Sequence, residues 1–152
     1  MGRGRTASLA IKSVQATERK RMKHPEDQLQ RALCEHWARV YPATWALTFH
    51  VPNGLAAKNP KLAGIFAGLG MKSGVFDLIC LARRGPYTGL AIELKSAHGR
   101  MADSQNEWHA RHLAENWCAV IAFTFETAAE ALRLYHELPA PGPPIRVPEA
   151  LR

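Results

Sequence analysis

The stretch GVFDLICLARRGPYTGLAIELK, residues 74–95, decides the fold. It reads as two strands, 75–82 and 88–95, joined by a turn at Arg84-Gly85-Pro86-Tyr87. The first strand is apolar on both faces, with Val75, Ile79 and Leu81 on one and Phe76, Leu78, Cys80 and Ala82 on the other. A strand of that kind belongs inside a sheet. Asp77 interrupts it, and a carboxylate there is costly unless it is paired or bound to a metal. In the second strand Leu90, Ile92 and Leu94 face one way, while Ala91, Glu93 and Lys95 face the other. A turn centred between Gly85 and Pro86 sets Asp77 opposite Leu94 or, with a one-residue bulge, opposite Glu93. Cross-strand neighbours lie roughly 5 Å apart, so two carboxylates and an ammonium are expected on one small patch. Two bare acids that close repel, and a hard divalent cation relieves them. Carboxylate oxygens suit Mg²⁺ or Mn²⁺ better than zinc.

Around this core the pattern alternates. Pro25 opens a helix to about residue 40, with Leu29, Leu33, Trp37 and Val40 on one face. Residues 45–51 read as a strand that ends in the turn Pro52-Asn53-Gly54. Asn59-Pro60 opens a short helix to about residue 69. Beyond the hairpin, Asp103 or Ser104 caps a helix to about 117, residues 118–123 form a strand, and Thr124 caps a last helix to about 136. The order predicts an α/β architecture, a mixed central sheet flanked by helices. Residues 24–138 are expected to form one domain, preceded by a basic arm (1–23) and followed by a proline-rich tail (139–152) that cannot hold a helix or an inner strand.

The 152 residues are 47% apolar and 22% charged, a globular balance that excludes a disordered chain. No apolar run reaches the roughly 18 residues of a spanning helix, and the N-terminus lacks a signal-peptide core. Cys34, Cys80 and Cys118 are odd in number and far apart, which argues against a disulfide framework and for a reducing, cytoplasmic setting. Of the net charge of +7, residues 1–24 carry +6 and the other 128 residues +1. A cationic arm on a nearly neutral body suits a polyanion such as nucleic acid, the alternative being a solubilising tail.

Five pieces in order carry a family resemblance: Glu26-x-Gln28, His50-Val51-Pro52-Asn53-Gly54, the segment from Gly70 to Leu78, Glu93-x-Lys95, and Ser104-Gln105-x-x-Trp108, with fifteen residues between Asp77 and Glu93. Over about residues 24–123 the chain resembles the virus-type replication-repair nuclease (VRR-NUC) domain of the PD-(D/E)XK nucleases. Phe76 stands where that family usually has proline. The resemblance implies a restriction-endonuclease-like core and a divalent-metal-dependent endonuclease of DNA. It assigns Asp77, Glu93 and the backbone carbonyl of Leu94 to a Mg²⁺ or Mn²⁺ ion, with Glu26 as a further ligand or catalytic carboxylate. Lys95 would orient the attacking water, and Gln105 would steady Lys95 or that water. It further implies a stand-alone phage or bacterial type, acting as a homodimer on branched DNA, four-way (Holliday) junctions above all. The alternatives are a nuclease for flaps, nicks or other duplex DNA, or a catalytically silent DNA-binding module. A buried salt-bridged cluster of Asp77, Glu93 and Lys95 is the structural alternative for the site.

Further residues are placed to meet DNA: His50 and Asn53 near the site, Lys58, Lys61 and Lys72 beside the glycine-rich segment, and Arg100. An Asn-Gly turn with an edge histidine, and a solvated lysine face, are the alternatives. Gly68-Leu69-Gly70-Met71-Lys72-Ser73 has the wrong glycine spacing for a phosphate loop, so no nucleotide cofactor is expected. His109 and His112 read as packing or surface histidines, and Trp108 and Trp117 as core. Apolar surface for a partner subunit is expected on the last helix (Ala128, Ala131, Leu132, Tyr135) and on the short helix (Leu62, Ile65, Phe66, Leu69).

Overall fold

A computed structural model describes residues 25–52 and 60–142, without the side chains of Pro60 and Lys61. The basic arm, Asn53, Lys58 and the tail from residue 143 lie outside the described residues.

Helix α1 (Pro25–Val40) carries Glu26 and Asp27 in its first turn and Arg39 in its last, charges that complement the helix dipole. Leu33 and Trp37 are buried on its inner face, whereas Val40 lies outside the core and is 44% exposed. A four-residue helix α2 (Pro42–Trp45) follows. It was not legible in the sequence because one turn is too short for a periodic pattern. Strand β1 is Thr48–His50, and helix α3 is Pro60–Gly68. The hairpin strands are shorter than the sequence suggests: β2 is Leu78–Cys80 and β3 is Leu90–Leu94. Helix α4 (Asp103–Ala114) leads to β4 (Cys118–Ala122), and α5 (Phe125–Glu137) closes the described elements. Thr124 caps α5, its side-chain oxygen accepting from the Thr127 amide at 3.2 Å.

The four strands lie in the order β1-β2-β3-β4. β1, β2 and β3 are antiparallel neighbours, and β4 runs parallel to β3. That parallel step needs a crossover, which α4 supplies. One face of the sheet (Leu78, Cys80, Leu90, Ile92, Leu94) packs under Leu33 and Trp37 of α1 and Ala128, Leu132 and Tyr135 of α5. The other face gathers Phe76, Ile79 and Ala91 with Trp108 of α4 and Trp117. The α5 face named as a partner surface is thus spent on the chain's own core. Leu62 and Ile65 of α3, and Leu69 just after it, remain exposed.

Two details correct the sequence reading. Phe76 packs with Ile79, not with Leu78 and Cys80. The chain is not yet a strand at residues 75–77 and bends at Asp77, so period-two alternation does not hold across it. The turn bridges Arg84 to Tyr87, yet the ladder pairs Leu78 with Ile92 and Cys80 with Leu90. The strands are therefore offset by one residue from the turn. Continued one step, that register sets Asp77 against Glu93, the bulged alternative of the two.

Candidate active site

Four segments of the chain converge on a cleft of about 260 Å³. Asp77 comes from the bend before β2. Glu93 and Leu94 come from the end of β3, with Lys95 just beyond. Gln105 and Ser104 come from the first turn of α4, Glu26 from the first turn of α1, and Gly74 from the loop between. The local sequence explains the placement. The last residues of an inner strand open onto the sheet edge, and α4 begins there because the crossover to β4 must start at that end. Gly74 adopts φ +78°, and a Cβ on it would lie 2.6 Å from the Ser104 backbone, so this close approach requires glycine.

The polar contacts form a network. Asp77 Oδ2 accepts the Leu94 amide at 2.9 Å. Lys95 Nζ pairs with Glu93 Oε1 at 2.7 Å. The Gln105 side-chain amide donates to the same Glu93 oxygen through Nε2, while its Oε1 accepts from the Ala102 amide at 3.0 Å. Gln105 is thereby fixed at both ends. Glu26 Oε1 accepts from the Ser96 amide at 2.9 Å. His50 Nδ1 lies 2.9 Å from the Asp77 carbonyl and 2.9 Å from Gln30 Nε2. Gln30 and the Ser96 amide are participants that the sequence reading missed. The available signal was spacing, since Gln30 lies one turn after Glu26 on α1.

Glu93 is only 1% exposed and Lys95 9%. Burial first, then the negative charge of Asp77, push the Glu93 carboxyl up to about 7, against the pull of Lys95. Burial also raises Asp77, while the Leu94 amide, Lys95 and His50 hold it down. Glu93 Oε2 is buried without any hydrogen-bond partner. An orphaned carboxylate oxygen beside a second carboxylate is a donor set that a cation would satisfy. The hard oxygen donors present, Asp77, Glu93 and the adjacent backbone, fit Mg²⁺ or Mn²⁺. Among the described residues no three His, Cys, Asp or Glu side chains are grouped to hold a metal. Glu26 lines the cleft without joining Asp77 and Glu93 in one ligating triplet.

The remaining candidates lie around this cleft. His50 is exposed at the end of β1, and Lys72 and Arg100 are exposed in the loops before β2 and after β3. Lys61 lies on α3 with its side chain outside the described atoms, as are Asn53 and Lys58. His112 is buried against Phe76, Trp108 and Trp117, a packing histidine.

A mixed four-stranded sheet between helices, with Asp77 at a bend and Glu93-x-Lys95 at the end of the neighbouring strand, is the α/β, restriction-endonuclease-like architecture of PD-(D/E)XK nucleases. No family model and no curated protein matches the chain. Among solved structures it is similar to a "VRR_NUC domain protein", with a TM-score of 0.66 and 26% identity over 76% of this chain and 90% of that one. This likeness supports a VRR-NUC domain, a nuclease-type fold, for the chain. No helix among the described residues is long and apolar enough to cross a membrane.

Proposed function

We propose that this protein is a divalent-metal-dependent endonuclease that hydrolyses phosphodiester bonds in DNA, with branched DNA, four-way junctions first, as its substrate and a homodimer as its working form. The observation that carries the reading is the cleft itself. Asp77 and Glu93 face each other across adjacent strands, and Glu93 keeps one buried oxygen without a partner. A salt-bridged cluster made only for stability would satisfy that oxygen, because a half-satisfied buried network is worse than an apolar one.

In this reading Asp77 and Glu93, with the Leu94 carbonyl, hold Mg²⁺ or Mn²⁺, which when bound lowers the pKa of water and offsets charge on the phosphate. Glu26 adds a carboxylate at the cleft wall. Lys95 presents its ammonium from the Glu93 side of the strand and orients the attacking water. Gln105 holds Glu93 in place from α4. His50, Lys72 and Arg100, with Asn53, Lys58 and Lys61, supply contacts to the DNA backbone, and the +6 arm adds salt-sensitive affinity. A two-fold dimer would present two such clefts symmetrically, as paired nicks across a junction require.

The test is cleavage of a labelled four-way junction beside linear duplex, flap and single strand, with Mg²⁺, Mn²⁺ or EDTA, and with Asp77→Ala. Paired nicks on the junction, lost in EDTA and in the variant, are expected. Cutting of flaps or plain duplex instead would keep the nuclease and discard junction resolution. Binding without cutting of any substrate, unchanged by EDTA, would leave a silent binding module.

A further inference from the structure

A second cavity, of about 520 Å³, lies next to the carboxylate cleft. Its walls are apolar: Val51, Phe66, Leu69, Met71, Val75 and Trp108, with Lys72 at the rim. The two hollows share their frame at three places. Gly74 lines the cleft and Val75, the next residue, lines the cavity. Gln105 lines the cleft and Trp108, three residues on along α4, lines the cavity, a separation of about 5 Å. The Val51 amide donates to the Asp77 carbonyl at 2.9 Å. The apolar cavity is therefore held in register with the two carboxylates.

The chemistry of the lining selects an occupant. The charged group among the described lining residues is a lysine, and none of them carries a carboxylate. An apolar hollow with a cation at its rim complements the flat π face of a base carried on an anionic backbone. Trp108 supplies a fixed aromatic wall. Its indole N–H donates to the Ser73 carbonyl at 3.0 Å, and the Arg111 guanidinium lies 5.4 Å from the ring centroid.

We propose that this cavity receives one unstacked nucleobase of the strand whose phosphodiester lies in the carboxylate cleft. The inference rests on the nuclease reading and deepens it. A base leaves the stack at least cost where it is unpaired or at a branch, so the cavity would itself favour branched over fully paired DNA. Stacking against an aromatic wall is tolerant of base identity, so no sequence preference is expected from it.

The experiment uses the full chain and junction or flap oligonucleotides in which each nucleotide flanking the mapped cut is made abasic in turn. The expected result is a loss of kcat/KM of about ten-fold at one flanking position, within the range a base–aromatic stack supplies. That penalty should shrink in Trp108→Ala, survive in Trp108→Phe, and shrink in Leu69→Ala. Leu69 is 78% exposed, so its variant keeps the fold and serves where Trp108→Ala does not fold. Three results overturn the inference while cleavage persists. One is an equal abasic effect at every position, and another is a penalty that both alanine variants leave intact. The third is a change of sedimenting mass in Leu69→Ala with the penalty unchanged, which would give the cavity to a second copy of the chain. A wild-type protein that cuts no nucleic acid overturns the nuclease reading and this inference with it.

Discussion

The amide of Leu94 donates to Asp77 Oδ2 at 2.9 Å, across the β2–β3 pair. This bond holds the Asp77 side chain toward β3, where the ladder has already placed Glu93. The bond orients the Asp77 carboxylate beside that of Glu93. Asp77→Ala should therefore abolish metal-dependent stabilisation as well as activity. A ligand at one hundred times its Kd raises stability by about 2.7 kcal/mol, and thermal melts with and without Mn²⁺ should show that shift in the wild type and lose it in the variant.

The position of Glu93 gives a pH signature. Its carboxyl stands at about 7 in the folded chain against an ordinary 4.5. The folded form thus holds the proton more tightly than the unfolded form, and the metal-free chain is stabilised by that proton below 4.5. This contribution falls as pH rises from 4.5 to 7 and is absent above. His112 and His136, both lowered by burial, act in the same pH range with the opposite slope. The clean comparison is between wild type and Glu93→Gln, which share those histidines. The wild type should lose stability relative to the variant across that window. Metal binding should also release close to one proton at pH 6 and almost none at pH 8, read by titration calorimetry in buffers of different ionisation heat.

Lys95 is paired with the same oxygen of Glu93 that Gln105 contacts. Replacing it by alanine should lower cleavage by about 10²–10⁴-fold, measured as single-turnover rate at saturating metal. Lys95→Arg should not restore the rate, because a planar guanidinium cannot take the place of a compact ammonium.

Gln105 acts through Glu93. Its removal frees the Ala102 amide and loosens Glu93. Gln105→Ala should weaken metal affinity by about 10–100-fold, as outer-shell losses do, with little change in far-UV circular dichroism. An unchanged affinity would leave Gln105 a helix-end contact alone.

Gly74 lines the cleft and is followed by Val75, which lines the cavity. At φ +78°, with Ser104 already where a Cβ would sit, Gly74→Ala should destabilise the fold by about 1–3 kcal/mol. It should also displace the first turn of α4, so activity should fall further than stability alone explains. Urea denaturation and cleavage rates measured together check both.

Much of the fold was legible because its signals are local. Thr124 as a cap, Pro25 at a helix start, and the alternation of Leu90, Ile92 and Leu94 against Glu93 and Lys95 each depend on neighbours a few residues away. The pair Asp77 and Glu93 was legible because an inner strand tolerates a carboxylate only for a reason. What was not legible depends on distant contacts. Val40 fits the helical period of Leu33 and Trp37, yet it lies where the sheet no longer covers α1. Phe76 was assigned to the wrong face because the bend at Asp77 ends the alternation, and nothing in the sequence of residues 75–77 marks that bend.

The sequence alone supplied the candidate groups and their order: Asp77, then Glu93-x-Lys95 on an apolar strand, then Gln105 at a helix start. Residue type and period two suffice for this, since they set which groups share a strand face. Only the tertiary structure decided the register that brings Asp77 against Glu93 in place of Leu94. It alone left Glu93 Oε2 without a partner, tied Glu26 to the Ser96 amide, and set an apolar cavity beside the cleft. Each of these turns on a shift of a single residue or a few ångströms between elements far apart in the chain. Such distances are fixed by packing against the whole core, which no local pattern encodes.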